Sequence, residues 1–164
     1  MITPECIIIM GVSGCGKTTI GKQLAQNLGW QFYDADDFHP LENRLKMSQG
    51  IPLNDEDLAD WLYTLQQQIL KNIEEHRSLV LACSALKQRY REILSVNKNV
   101  QFVYLRGSYE QIKKRLKRRK DHYMPVQLLQ SQFEALEEPR DALIVDISNS
   151  SEEIINLIRK GMEP

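Results

Sequence analysis

Cysteine is scarce in this chain. Cys6, Cys15 and Cys83 are all there is, an odd number with no C-x-x-C pair. That pattern excludes a disulfide framework, and no His, Cys or carboxylate cluster has zinc-ligand spacing. Cys6 and Cys83 lie in apolar runs, where a free thiol packs as a small hydrophobe, so a reducing, cytoplasmic setting is expected. A charge excess of either sign is also missing: 21 basic residues face 22 acidic ones, for a net charge of −1. Such a balance gives no global reason to expect nucleic acid or an anionic membrane as partner. There is no charged-then-apolar leader pattern, and the apolar runs are too short to cross a bilayer. Repeats and low-complexity linkers are absent as well. One compact domain over residues 1–164 is expected.

What is present begins at the eleventh residue. Gly11-Val12-Ser13-Gly14-Cys15-Gly16-Lys17-Thr18 reads G-x-x-x-x-G-K-[ST]. It follows the apolar run Cys6-Ile7-Ile8-Ile9-Met10 and leads into an amphipathic segment, so the context is strand, glycine-rich loop, helix. The three glycines let the backbone curl with its N–H groups inward, forming an anion nest. The helix behind adds its free N–H groups and the positive end of its dipole. Lys17 supplies a mobile positive charge for the β- and γ-phosphates, and the Thr18 hydroxyl can ligate Mg²⁺. Gly11 to Thr19 is therefore the expected ATP phosphate site.

Strand and helix patterns alternate along the rest. Strands are expected over residues 4–10, 31–34, 78–84, 100–105 and 142–147. Helices are expected over 17–28, 41–49, 56–75, 85–95, 109–120 and 126–136, with a last one opened by a capping signal at Ser150 to Glu153. The alternation implies an α/β protein: a three-layer α/β/α arrangement with a five-stranded parallel sheet and a helical lid at about 115–136. Ligands of such sheets bind beyond the carboxyl ends of the strands.

Three constellations sit at or near those ends. Asp34-Ala35-Asp36 closes the second strand beside the phosphate loop. One carboxylate there can hold Mg²⁺ directly or through water, and one two residues on can accept a proton from an attacking hydroxyl. Most acidic clusters only cap a helix; the position beside the loop is what favours chemistry here. The second constellation is basic: Arg106 to Lys120 carries eight cations against Glu110 alone. Several are ordinary solvated charges, but Arg115 and Arg119 share one helix face and suit a lid that clamps phosphates and excludes water. The third is Cys83-Ser84-Ala85-Leu86-Lys87 with Arg91. The Asp with which motor and transporter ATPases end this strand is missing, which moves metal duty to Thr18 and Asp34. Lys87 and Arg91, four apart, read either as cleft cations for a substrate carboxylate or phosphate or as exposed helix charges. His39 and His122 carry little weight alone, and Trp30 and Trp61 read as core residues.

A guanine-reading Asn-Lys-x-Asp is also lacking, since Asn97-Lys98-Asn99-Val100 has no Asp. Small size, a lid and an acidic strand end fit a small-molecule kinase of the shikimate and nucleoside-monophosphate kinase type. The chain further resembles the small P-loop gluconokinases. The resemblance is carried by the phosphate loop; by Asp34-Ala35-Asp36-Asp37-Phe38-His39-Pro40 with Asn43 and Lys46-Met47; by Gly50 to Asp57 with Trp61-Leu62; by Cys83 to Lys87 with Tyr90-Arg91; and by lid strings between Arg115 and Pro139. Together these cover nearly the whole chain in order. Cys15 replaces a common Ser and Tyr123 a common Phe, neither altering a charged group.

The resemblance implies ATP-dependent phosphorylation of D-gluconate at its 6-hydroxyl, with Mg²⁺, in a homodimer. It implies Asp36 as the group that orients and deprotonates the hydroxyl. Lys17 and Arg119 would act on the phosphates, and Arg115 would close over the nucleotide. Lys87 and Arg91, then Arg44, His39 and Lys46, would meet gluconate. The segment near Asp146 to Ser148 would wall the adenine pocket. Two alternatives stay open: another small-acid or nucleotide kinase on the same fold, and a non-catalytic ATP-binding sensor.

Overall fold

Cys6–Met10, buried throughout, forms β1 of a computed structural model that describes residues 4–118 and 126–162. Its register sets the layers. Successive strand side chains point to opposite faces, so Ile7 and Ile9 enter one core and Cys6, Ile8 and Met10 the other. Burial of each such isoleucine is worth about 1.5–3 kcal/mol.

The remaining strands are β2 (Gln31–Asp34), β3 (Leu79–Ala82), β4 (Val100–Arg106) and β5 (Leu143–Asp146). Among the described residues they form one sheet in the order β2-β3-β1-β4-β5, every pairing parallel. The five-stranded parallel sheet expected from the sequence is thus present. Parallel neighbours need crossovers, and helices supply them. On the Ile7 face lie α1 (Lys17–Leu28), α5 (Tyr109–Arg118), α6 (Val126–Ala135) and α7 (Ser151–Gly161), which bring in Ile20, Leu24, Ile112, Leu129, Ile154 and Ile158. On the Ile8 face lie α3 (Asp55–Glu74) and α4 (Gln88–Leu94), with Trp61, Leu62, Leu65, Ile69, Tyr90 and Leu94. The short α2 (Leu41–Ser48) follows the acidic strand end.

Local chemistry explains the boundaries. Gly29 ends α1 in the left-handed conformation, its N–H returning to Ala25 and Gln26 carbonyls. Asn54 and Asp57 close a capping box on α3, Ser150 and Glu153 another on α7, and Ser108 and Gln111 exchange bonds at the start of α5. Each such cap is worth about 1 kcal/mol. One helix is shorter than its pattern suggests: residues 85–87 are not helical. Ala85 adopts φ 45° and Lys87 is extended, so α4 begins at Gln88. The acidic strand end also curls into a 3-10 turn, Ala35–Phe38, which apolar periodicity does not reveal.

Candidate active site

The phosphate loop takes its shape from Gly11, Gly14 and Gly16, all at positive φ. At Gly11, φ is 146° and a Cβ would lie 2.9 Å from the Leu105 carbonyl oxygen. At Gly16 the left-handed φ of 101° turns the chain into α1 with no side-chain cap. An uncapped helix start with free N–H groups is a ready anion site. Lys17 Nζ folds back to donate to Val12 O at 3.1 Å.

Across from the loop, the end of β2 supplies oxygens. Thr18 Oγ1 donates to Asp34 Oδ2 at 2.9 Å, while Asp34 Oδ1 accepts from Asp36 N–H at 3.0 Å. One carboxylate therefore bridges the start of α1 and the 3-10 turn. Thr18, Asp34 and Asp36 are brought together as the sequence predicts, and Thr19 is exposed on the first turn of α1. Hard oxygen donors of this kind suit Mg²⁺. The Asp36 side chain is 76% exposed at the cleft mouth. Protein crowding raises its pKa above the ordinary aspartate range; Lys17 opposes the rise, and the Asp34 and Asp37 carboxylates add to it.

His39 stands behind Asp36, its Nε2 3.8 Å from Asp36 Oδ1. It is stacked on Trp61, ring centroids 4.2 Å apart, and is almost fully buried. Burial first, then the Arg44 cation, pushes its pKa down to about 4, against the pull of Asp34. The ring is neutral at pH 7. Arg44 donates to Asp37 O at 3.0 Å and His39 O at 3.3 Å, clamping the last carbonyls of the 3-10 turn.

The other expected substrate cations divide. Lys46 Nζ lies 2.8 Å from Asp57 Oδ1, and its hydrogen bond, with a backbone bond from Asn54, holds the Asp57 carboxyl below the usual range. Lys87 Nζ sits 3.6 Å from Asp55 Oδ1, an oxygen pair also bonded by Arg89 and Tyr90. Its side chain is about one-third exposed at the open end of β3. Arg91 points elsewhere. It is only 4% exposed and donates to Ala85 O and Glu137 O, each at 2.7 Å, and to Gln88 Oε1. Its guanidinium holds the left-handed Ala85 turn and the chain after α6 in place.

On the lid side, Arg115 donates to Cys15 O at 3.2 Å and to Ile147 O at 2.7 Å, tying the phosphate loop to the segment after β5. Arg119, His122 and Tyr123 lie outside the described residues. Sequence reasoning missed one lid contact entirely: Gln132 of α6 binds Ser13 through both ends of its amide. It also missed the role of Asn43, a buried amide between His39 and the Asp57 carbonyl. Trp61 is in the core as expected, and additionally donates from Nε1 to Ala35 O at 2.7 Å, pinning the turn that carries Asp36.

A central parallel strand, a glycine-cradled anion loop, a hydroxyl–carboxylate pair beside it and two helices packed over it define a P-loop kinase of small molecules. A family model described as Shikimate kinase matches residues 13–160. The chain is 44% identical to the thermosensitive gluconokinase of Escherichia coli (strain K12), over 96% of this chain and 87% of that one. It is 45% identical to a gluconokinase of Arabidopsis thaliana, over 96% and 92%. The crystal structure of a gluconokinase from Sinorhizobium meliloti 1021 superposes with a TM-score of 0.90, at 37% identity, covering 99% of this chain and 93% of that one. The chain belongs to the gluconokinase family, as its motifs suggest.

Proposed function

We propose that this kinase transfers the γ-phosphoryl group of ATP to the 6-hydroxyl of D-gluconate, giving 6-phosphogluconate and ADP. The observation that carries the proposal is the bridge from Thr18 Oγ1 to Asp34 at 2.9 Å, which sets Asp36 beside the phosphate loop in a chain of this family. The backbone N–H groups from Gly11 to Thr18, with Lys17, hold the phosphates. The substrate oxygen attacks the γ-phosphorus in line, the bond to the β–γ bridging oxygen breaks, and ADP leaves with that electron pair. Asp36 orients the hydroxyl and takes its proton; its raised pKa improves it as an acceptor. Thr18 and Asp34 would hold Mg²⁺, which neutralises charge on the phosphate oxygens when bound.

Lys87 is the cation best available for the gluconate carboxylate, because its carboxylate partner is already shared with Arg89 and Tyr90. Arg44 and Lys46 border the same wall, while Arg91 serves by holding the Ala85 turn. Arg115 and Arg119 close over the nucleotide, and residues 146–148 border the adenine. A cytoplasmic homodimer belongs to the same reading.

ADP release from ATP and Mg²⁺ tests it, with D-gluconate beside shikimate, nucleoside monophosphates, gluconate stereoisomers and no acceptor. Turnover dominated by gluconate, with the product phosphorylated at the terminal carbon by NMR, is the expected result. Turnover only with another acid would discard the substrate, and binding of ATP without turnover on any acceptor would favour a sensor.

A further inference from the structure

Three buried side chains behind Asp36 form a unit. Trp61 pins Ala35 O and lies flat against His39, the two ring planes 13° apart. Asn43, 3% exposed, holds the imidazole by its edge. Its Nδ2 is 2.8 Å from Asp57 O and 3.2 Å from His39 Nδ1. A carbonyl oxygen can only accept, so the Asn43 group facing Asp57 O is its NH₂. The second hydrogen of that NH₂ faces His39 Nδ1, which must then accept. A neutral imidazole carries one proton, and here it is left on Nε2.

We propose that Asn43 is a positioning residue that locks His39 in its Nε2–H form, so that a fixed donor, His39 Nε2, stands 3.8 Å from the acceptor Asp36 Oδ1, and this pair reads two adjacent oxygens of a polyhydroxylated substrate. The reacting hydroxyl donates to Asp36 while its neighbour accepts from His39. For gluconate the neighbour is the oxygen on carbon five. With the opposite tautomer, two acceptors would face the substrate side by side, and the neighbouring oxygen would have to turn its hydrogen toward Nε2. A buried one-way donor of this type discriminates more sharply than a group able to rotate, since an analogue without the partner atom leaves it unpaired. The ligand half of the proposal rests on the sugar-acid reading above; the tautomer lock does not.

The test has two arms. In proton–nitrogen correlation spectra of histidine-labelled protein, His39 is expected to carry its proton on Nε2 alone at neutral pH, and Asn43→Asp is expected to place a proton on Nδ1. A wild-type ring protonated on Nδ1, or a folded Asn43→Asp protein with an unchanged pattern, overturns the lock. Should that variant fail to fold, the wild-type spectrum decides. In the second arm, His39→Phe keeps the stacking on Trp61 and removes the donor. KM for D-gluconate is expected to rise about 10-fold with KM for ATP unchanged. On the wild type, 5-deoxy-D-gluconate is expected to lose a similar factor, and on His39→Phe to lose no more. An additional loss there overturns the paired-oxygen reading. A wild type inactive on every polyhydroxylated acid overturns the substrate reading and the ligand half with it, while the spectra still decide the lock.

Discussion

Gln132 grips Ser13 at both ends of its amide: Oε1 accepts from the Ser13 backbone N–H at 2.7 Å and Nε2 donates to Ser13 Oγ at 2.9 Å. A side chain of α6 thus occupies an N–H of the very loop whose N–H groups are suited to phosphate. The amide thus latches α6 to the loop. Because a net hydrogen bond is worth about 1 kcal/mol, Gln132→Ala is expected to tighten ATP binding by about 5-fold if phosphate must displace the amide. Calorimetric titration with ATP checks this; unchanged affinity would mean that the latch persists with nucleotide bound.

Asp36 is exposed, so replacing it leaves the fold alone. Asp36→Asn is expected to lower kcat by about 10²-fold or more while KM for ATP holds. The proton acceptor must be ionised, so wild-type kcat/KM falls as pH drops through the Asp36 pKa, which lies above the ordinary aspartate value. Intact turnover in Asp36→Asn would remove it from the mechanism.

The neutral, buried His39 makes stability depend on pH. In the unfolded chain the ring takes a proton near pH 6.5; in the folded protein it does so only near 4. Its contribution is therefore complete above pH 6.5 and is lost as pH falls to about 4, with a size on the order of 3 kcal/mol. Asp36, whose pKa is raised on folding, works in the opposite sense between the ordinary aspartate value and its own. Urea unfolding of wild type and His39→Phe across this range measures the term, and the variant's profile is expected to be flatter.

Lys87 and Arg91 separate by the quantity each controls. Arg91→Ala strands the Ala85 and Glu137 carbonyls and is expected to cost about 2–3 kcal/mol, seen as a lowered Tm. Lys87→Ala is expected to leave Tm within a degree or two and raise KM for gluconate about 10-fold or more. A reversed pattern would place Arg91 on the substrate and Lys87 in the scaffold.

That last contrast shows where sequence reading succeeds and fails. The phosphate loop, the Thr18–Asp34–Asp36 group and the five parallel strands around them follow from local signals: a fixed glycine spacing, apolar runs of strand length, and carboxylates at a strand end. Lys87 and Arg91 were expected on one helix face because they are four apart. Four-residue spacing places side chains together only within a helix, and Lys87 precedes α4 in extended backbone. The left-handed Ala85 before it carries no glycine to announce the turn. Asn43 looks like any polar helix residue until α3 packs over it. The Gln132–Ser13 contact spans 119 positions and has no local signature at all.

The register of β1 has a consequence for biosynthesis. β1 lies between β3 and β4, with Cys6 opposite both Leu79 and Val100. The strand that carries the phosphate loop is translated well before both of its neighbours. Parallel pairing cannot be completed by a local hairpin and must wait for distant chain. A nascent chain arrested between α4 and β4 still has one open edge on β1, and Gly11 still lacks the Leu105 backbone it packs against. Such a chain is expected to retain no ATP on a nucleotide resin, whereas one that includes α7 does. The capacity to hold nucleotide would then wait for β4, although the residues responsible are translated before β3 and β4.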